Sequence, residues 1–311
     1  MALMYVAGLR GLVGSHILKL AEREGFEVSG KPSSEIDFRN REATFLELRS
    51  LKPDVLVIAA AVVGGIGANS EYPVKFLTEN LQIQCNLIDA AHAAQVKKVI
   101  FLGSSCIYPR LCKQPIIEDY LLTGELEPTN KPYALAKISG IELINSYRKE
   151  FGHDWTSVMP CNLYGPNDNF DLQSSHVLAA LIRKIHEAKK YGLDSVSIWG
   201  DGTPLREFLY VEDAAKGILR LVQSESENSI YNLGSEQEIS INELAILVGR
   251  IVGYEGIFEF DSSKPNGTHR KLMSSERLRK LGWKPETSLE AGVLKTYEWY
   301  ISSAQDLEDV K

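Results

Sequence analysis

A short apolar run, residues 3–7, ends in a glycine-rich loop, and no other feature constrains the fold of this chain as strongly. The loop reads Gly8-Leu9-Arg10-Gly11-Leu12-Val13-Gly14 and leads into a helical apolar pattern over residues 13–24. Strand, glycine turn and helix in that order make the first half of a βαβ unit. The rhythm continues, with residues 27–29, 54–60, 99–103 and 156–159 reading as strands and residues 73–94 and 133–150 as helices. Buried strands alternating with helices imply right-handed crossovers and a parallel sheet covered on both faces. The expected fold class is α/β, with a doubly wound parallel sheet over residues 1–160.

After Pro160 the rhythm breaks. Helical patterns near residues 175–191 and 242–252 alternate with short strands at 195–199 and 257–260. The expectation is a smaller C-terminal α+β domain over residues 161–311 that binds substrate, with residues 208–235 returning to the first domain. The polar tail, residues 302–311, is expected to fray. A formal charge of −7 argues against a nucleic-acid binder. No stretch approaches the length of a membrane span, and the apolar start is too short for a signal peptide. Cys85, Cys106, Cys112 and Cys161 form no C-x-x-C pair, which suits a reducing cytoplasm.

Glycines at the loop positions let the backbone approach a pyrophosphate at a helix N-terminus. The spacing is G-x-x-G-x-x-G rather than the commoner G-x-G-x-x-G. Cofactor choice turns on the end of the second strand, where an acid would accept the ribose hydroxyl of NAD. This chain carries Lys31-Pro32-Ser33-Ser34 there, with no acid before Glu35 and with Arg10 inside the loop. NADP is the expected cofactor, and Lys31 and Arg10 also suit ordinary surface positions.

Leu102-Gly103-Ser104-Ser105-Cys106 follows a central strand, at the edge where open parallel sheets bind ligands. A serine hydroxyl there can hydrogen-bond a substrate carbonyl; Ser104 is the first choice and Ser105 its neighbour. An unpaired cysteine such as Cys106 is by itself more often a small buried hydrophobe. Tyr133 and Lys137, at i and i+4, share a helix face. An ammonium near a phenol is expected to lower the phenol's pKa and make it a usable proton donor at neutral pH.

Further runs extend these motifs across nearly the whole chain. They are Val63-Gly64-Gly65-Ile66 with Asn69, Cys106-Ile107-Tyr108-Pro109, Pro160-Cys161-Asn162-Leu163-Tyr164-Gly165-Pro166 and Trp199-Gly200 with Arg206-Glu207-Phe208. Through them the sequence resembles the extended short-chain dehydrogenase/reductases and, within that family, the GDP-L-fucose synthases. The resemblance implies a Rossmann domain, NADPH and a homodimer formed through the Tyr133 helix and the long helix before Lys97. It also implies a GDP-4-keto-6-deoxy-D-mannose substrate, epimerised at C3 and C5 and reduced at C4. Ser104, Tyr133 and Lys137 would be the reductase triad, and Cys106 and His176 the epimerisation base and acid.

The same resemblance places Leu102, Gly103, Ser105, Lys137, Pro160, Asn162, Leu163 and His176 beside the cofactor. It places Lys184, Trp199, Arg206 and Asn266 on the GDP-sugar. Taken alone, those residues read as a helix cap at His176, a solvated lysine, a core tryptophan and a surface ion pair. Leu9 stands where the family commonly has histidine, Ser33 where it often has arginine, and Asn266 where it usually has aspartate. The last departure leaves open a related GDP-keto-sugar reductase or epimerase acting on another deoxy or heptose sugar.

Overall fold

The computed structural model describes residues 1–264 and 266–308. β1 (Leu3–Ala7) leads through the glycine loop into α1 (Leu12–Arg23), β2 (Glu27–Ser29), α2 (Arg41–Leu51) and β3 (Val55–Ile58). α3 (Ile66–Glu71), α4 (Pro73–Ala93), β4 (Lys98–Leu102), α5 (Lys131–Phe151) and β5 (Asp154–Pro160) follow. These strands are all parallel, in the order β2-β1-β3-β4-β5, and form a Rossmann-like sheet. β3 and β4 are buried along their whole length, as helices on both faces require. α2 has no counterpart in the sequence reading. It buries only Thr44, Glu47 and Leu48, two of them polar, so its apolar stripe is thin. It supplies the crossover that parallel strands β2 and β3 need.

The chain then builds β6 (Asn162–Tyr164), α6 (Val177–Tyr191), β7 (Ser195–Trp199) and β8 (Leu205–Tyr210). α7 (Val211–Gln223) returns to pack on α1, and β9 (Ile230–Leu233) pairs parallel with β5 as the sixth strand. Residues 208–210 stay in β8, outside that sheet. β10 (Glu238–Ser240), α8 (Ile241–Val252), β11 (Ile257–Asp261), β12 (Arg270–Lys271), α9 (Glu276–Lys280) and α10 (Leu289–Glu308) complete the described chain. β8 pairs with β10, β12 and β6, and β11 pairs with β7. A second buried core gathers Tyr164, Leu178, Ile182, Ile185, Leu244 and Val248 around these elements. The tail is helical as far as Glu308; residues 309–311 lie outside the described residues. No helix among the described residues is long and apolar enough to cross a membrane.

β1 lies inside the first sheet, between β2 and β3, so the strand order reverses at the β1–β3 boundary. Ligands of open α/β sheets bind outside the carboxyl ends of the strands at such a point. The loops after β1, β3, β4 and β5 all emerge on that edge.

Candidate active site

The loop after β1 is shaped for close backbone approach. Gly8 has a φ of +92°, which disfavours any side chain, and a Cβ added at Gly14 would lie 2.2 Å from the Gly8 carbonyl oxygen. The Gly11 N–H donates to that same oxygen at 3.0 Å, folding the loop over the start of α1. A side-chain-free cradle at a helix N-terminus fits a dinucleotide pyrophosphate. Lys31 is committed elsewhere, 2.5 Å from Glu47, whose other oxygen accepts the Tyr5 hydroxyl at 3.3 Å. That commitment leaves Arg10 as the exposed cation of the loop; Ser33 is exposed in a turn.

Ser104 caps a single 3-10 turn after β4, its hydroxyl accepting the Cys106 N–H at 3.3 Å. Ser105 is buried, whereas Ser104 is half-buried and lies close enough to act on the Tyr133 phenol. α5 starts at Lys131-Pro132, a position where proline forfeits no helical hydrogen bond, and stops at Gly152 with φ 71°. Lys137, one turn after Tyr133, is buried and donates to the Leu102 carbonyl at 2.8 Å. Its Nζ lies 5.8 Å from the centre of the Tyr133 ring, against which Phe76 packs edge-on.

The electrostatics differ from the expectation for this pair. Burial pushes the Tyr133 phenol well above its ordinary pKa; Cys106 adds to the rise and the Ser104 hydrogen bond opposes it. Burial also drives the Lys137 ammonium down to about 8. Desolvation disfavours both charged forms and outweighs their proximity. The phenol is therefore held neutral rather than brought toward phenolate. Burial likewise raises the Cys106 thiol, opposed first by Lys271, then by the Ser104 hydrogen bond and Lys137.

His176 is the N-cap residue of α6, on an element separate from the Ser104–Cys106–Tyr133–Lys137 group. The residue as a whole is exposed, yet desolvation by the protein packed around the imidazole holds it below its ordinary pKa. The Gly65 N–H donates to the Ser174 carbonyl at 3.1 Å, tying this segment to the loop after β3. Lys184 donates to the Ser197 carbonyl at 3.0 Å. Trp199 is 48% exposed, which excludes a core role, and the Lys264 ammonium lies 5.6 Å from its ring.

Burial drives Arg206 down to about 10, opposed by Glu127. Its guanidinium donates to the Asn266 carbonyl at 3.0 Å, and Asn266 Oδ1 accepts the Asp201 N–H at 3.0 Å. The acceptor end of the Asn266 amide is thus used within the fold. Asn162 donates from its side chain to the Glu207 carbonyl at 2.8 Å, Leu163 pairs with Leu209, and Pro160 pairs with Leu233.

The sequence assigned no role of its own to three residues of this region. Glu127 accepts the Thr268 hydroxyl at 3.2 Å, and Lys271 stands opposite Arg206 in the β12–β8 register. Glu207 is buried and accepts the N–H groups of Met273 at 3.0 Å and Glu236 at 2.6 Å. Burial nevertheless drives its carboxyl up to about 8. The one sequence signal was a charge inside an apolar run, as at Lys271-Leu272-Met273 and Arg206-Glu207-Phe208.

Comparison with known proteins places the chain among nucleotide-sugar enzymes. The profile described as the NAD dependent epimerase/dehydratase family matches residues 4–234. A protein of Sinorhizobium fredii named GDP-L-fucose synthase is 50% identical over 303 residues, covering 97% of this chain and 96% of its own length. The Escherichia coli GDP-L-fucose synthase is 46% identical over 310 residues, covering 96% and 97%. Among solved structures, a GDP-mannoheptose C4 reductase from Campylobacter jejuni with NADP bound superposes with a TM-score of 0.87 at 32% identity. That alignment covers 96% of this chain and 98% of the reductase.

Proposed function

The chain belongs to the NAD dependent epimerase/dehydratase family, and on that premise we propose that it converts GDP-4-keto-6-deoxy-D-mannose to GDP-L-fucose. The observation that carries this reading is the convergence of Ser104, Cys106, Tyr133 and Lys137 at the carboxyl edge of the sheet. A 4-keto group acidifies the protons on C3 and C5, provided that the resulting enolate oxygen is stabilised. The Ser104 and Tyr133 hydroxyls hydrogen-bond that oxygen. Cys106, as its thiolate, takes the proton on Sγ while the C–H electron pair moves toward the oxygen, and His176, as its imidazolium, gives a proton to the opposite face. Because burial keeps the phenol protonated, Tyr133 then donates its proton as the C4 oxygen becomes an alkoxide. Lys137, poised near pH 8, orients the Tyr133 end of α5 and the cofactor ribose.

When bound, NADPH would supply the hydride for reduction at C4. Residues 8–14 would hold its pyrophosphate and Arg10 with Ser33 its extra phosphate, with the 102–105 segment, Pro160, Asn162 and Leu163 along the nicotinamide half. Lys184, Arg206 and the open face of Trp199 bind the GDP moiety, with Asn266 on the same rim. The protein works as a cytoplasmic homodimer. Sedimentation velocity tests the dimer.

Incubating the purified protein with GDP-4-keto-6-deoxy-D-mannose and either NADPH or NADH tests substrate and cofactor together. Oxidation of NADPH with formation of GDP-L-fucose is expected; no oxidation with this ketone would sink the reading. A GDP-4-keto-heptose belongs in the same assay, because Asn266 carries no charge and the Campylobacter jejuni reductase shares the fold.

A further inference from the structure

Lys271 occupies a place that the proposed chemistry leaves unexplained. β12 lies parallel to β8, with Lys271 opposite Arg206. Its other edge is fastened to the segment that continues from the Cys106 turn. Leu272 N–H donates to Gln114 Oε1 at 2.8 Å, Ile116 N–H donates to the Leu272 carbonyl at 2.7 Å, and Ser274 N–H donates to the Ile116 carbonyl at 2.8 Å. The next residue, Met273, is pinned by Glu207. Lys271 is thereby held rigidly where the arm carrying Cys106 meets the strand carrying Arg206.

The groups within electrostatic reach of its ammonium are Cys106, Arg206, Glu127 and Cys112. Cys106 in turn faces Lys271, Ser104, Lys137 and Tyr133. The other cations nearby are engaged, Lys137 with the Leu102 carbonyl and Arg206 with the Leu205 and Asn266 carbonyls. Glu127 is engaged as well, by the Thr129 and Thr268 hydroxyls. A half-buried lysine within electrostatic reach of a thiol, with its neighbours committed elsewhere, suits an anion that forms during turnover.

We propose that Lys271 is the positioning residue for proton abstraction, its ammonium serving as the counter-charge to the Cys106 thiolate. The inference rests on the reading of Cys106 as the base. In the step, the proton from C3 or C5 passes to Sγ and the C–H electron pair goes to the C4 oxygen. Lys271 gives up no proton; its charge favours the thiolate before transfer.

The test compares the wild-type protein with Lys271→Met, Lys271→Gln and Lys271→Arg. The first readout needs no substrate: the rate of Cys106 alkylation by iodoacetamide against pH, followed site by site by mass spectrometry. Loss of the charge should move the pH profile up by about 1–3 units, slowing alkylation at pH 8 by roughly tenfold or more. Lys271→Arg should restore it. An unchanged midpoint in Lys271→Met and Lys271→Gln overturns the inference.

The second readout is solvent-deuterium exchange at C3 and C5, whose acid limb should shift by the same amount. A raised KM with an unshifted exchange profile would mean that Lys271 only binds the diphosphate, which also overturns it. If alkylation depends on Lys271 but the wild-type protein exchanges neither proton, the charge pair stands and the assignment of Cys106 as base is what fails.

Discussion

The two halves of the candidate site are built in different ways. On the first sheet, Ser104 and Cys106 come from one turn and Tyr133 and Lys137 from one helix, so local geometry sets most of their spacing. In the other half, Lys184, Trp199, Arg206, Asn266 and Lys271 come from separate segments joined by single hydrogen bonds to backbone carbonyls and by strand pairing. Buried polar joints hold the assembled half in place. Asn232 accepts the Tyr108 hydroxyl at 2.5 Å and donates to the Ile116 and Ser274 carbonyls at 3.0 and 3.1 Å. Glu207 ties β8 to Met273 and Glu236. Chemistry placed on the local half should survive changes at the joints, whereas substrate affinity should not.

Substitutions in the local half should cut rate and leave binding. Tyr133→Phe removes the proton donor, so kcat for C4 reduction should fall by about 10²–10⁴-fold while NADPH affinity stays within about twofold. Stopped-flow NADPH oxidation beside a cofactor titration measures both; an unchanged kcat would remove Tyr133 from the proton path. Cys106→Ser should lower deuterium incorporation at C3 and C5 by roughly 10²-fold or more, with cofactor binding intact. Normal incorporation in that variant would refute the assigned base.

The residues of the assembled half that bind the GDP moiety should respond in the opposite sense. Arg206→Met removes a cation from the proposed diphosphate site, so KM should rise by about tenfold to a hundredfold, as expected for a hydrogen bond to a charged group. A fall in kcat without a rise in KM would move Arg206 from binding to chemistry.

The smallest effect concerns Glu207. Its carboxyl keeps the proton to about pH 8 in the folded protein, against 4.5 for the ordinary side chain. The folded state thus binds more protons within that window, and stability should fall as pH rises through it. Urea unfolding at pH 5 and pH 8.5 measures the slope. Glu207→Gln should flatten it while lowering stability throughout, because one backbone N–H loses its acceptor. An equal slope in both proteins would place the titration elsewhere.

Legibility in the sequence follows the same division. Strand, loop and helix around residues 3–23 could be read because glycine spacing and apolar periodicity are local signals. Helix α2 was not legible, since a thin apolar stripe leaves little periodicity to read. Lys31 looked like a free cation because its partner, Glu47, sits in the crossover helix α2, sixteen residues on. Lys271 gave no sign of its neighbours, because β12 meets β8 and the Gln114–Ile116 segment only in three dimensions.

By itself, the sequence determined that Tyr133 and Lys137 share a helix face and that residues 8–14 close tightly over a helix start. Both follow from interactions within a few residues, i to i+4 in a helix and positive φ at a glycine. Only the tertiary structure decided the direction of the Tyr133 shift and which cation stands nearest in effect to Cys106. Those depend on desolvation and charge from segments far apart in the chain, and burial outweighed the lysine one turn away.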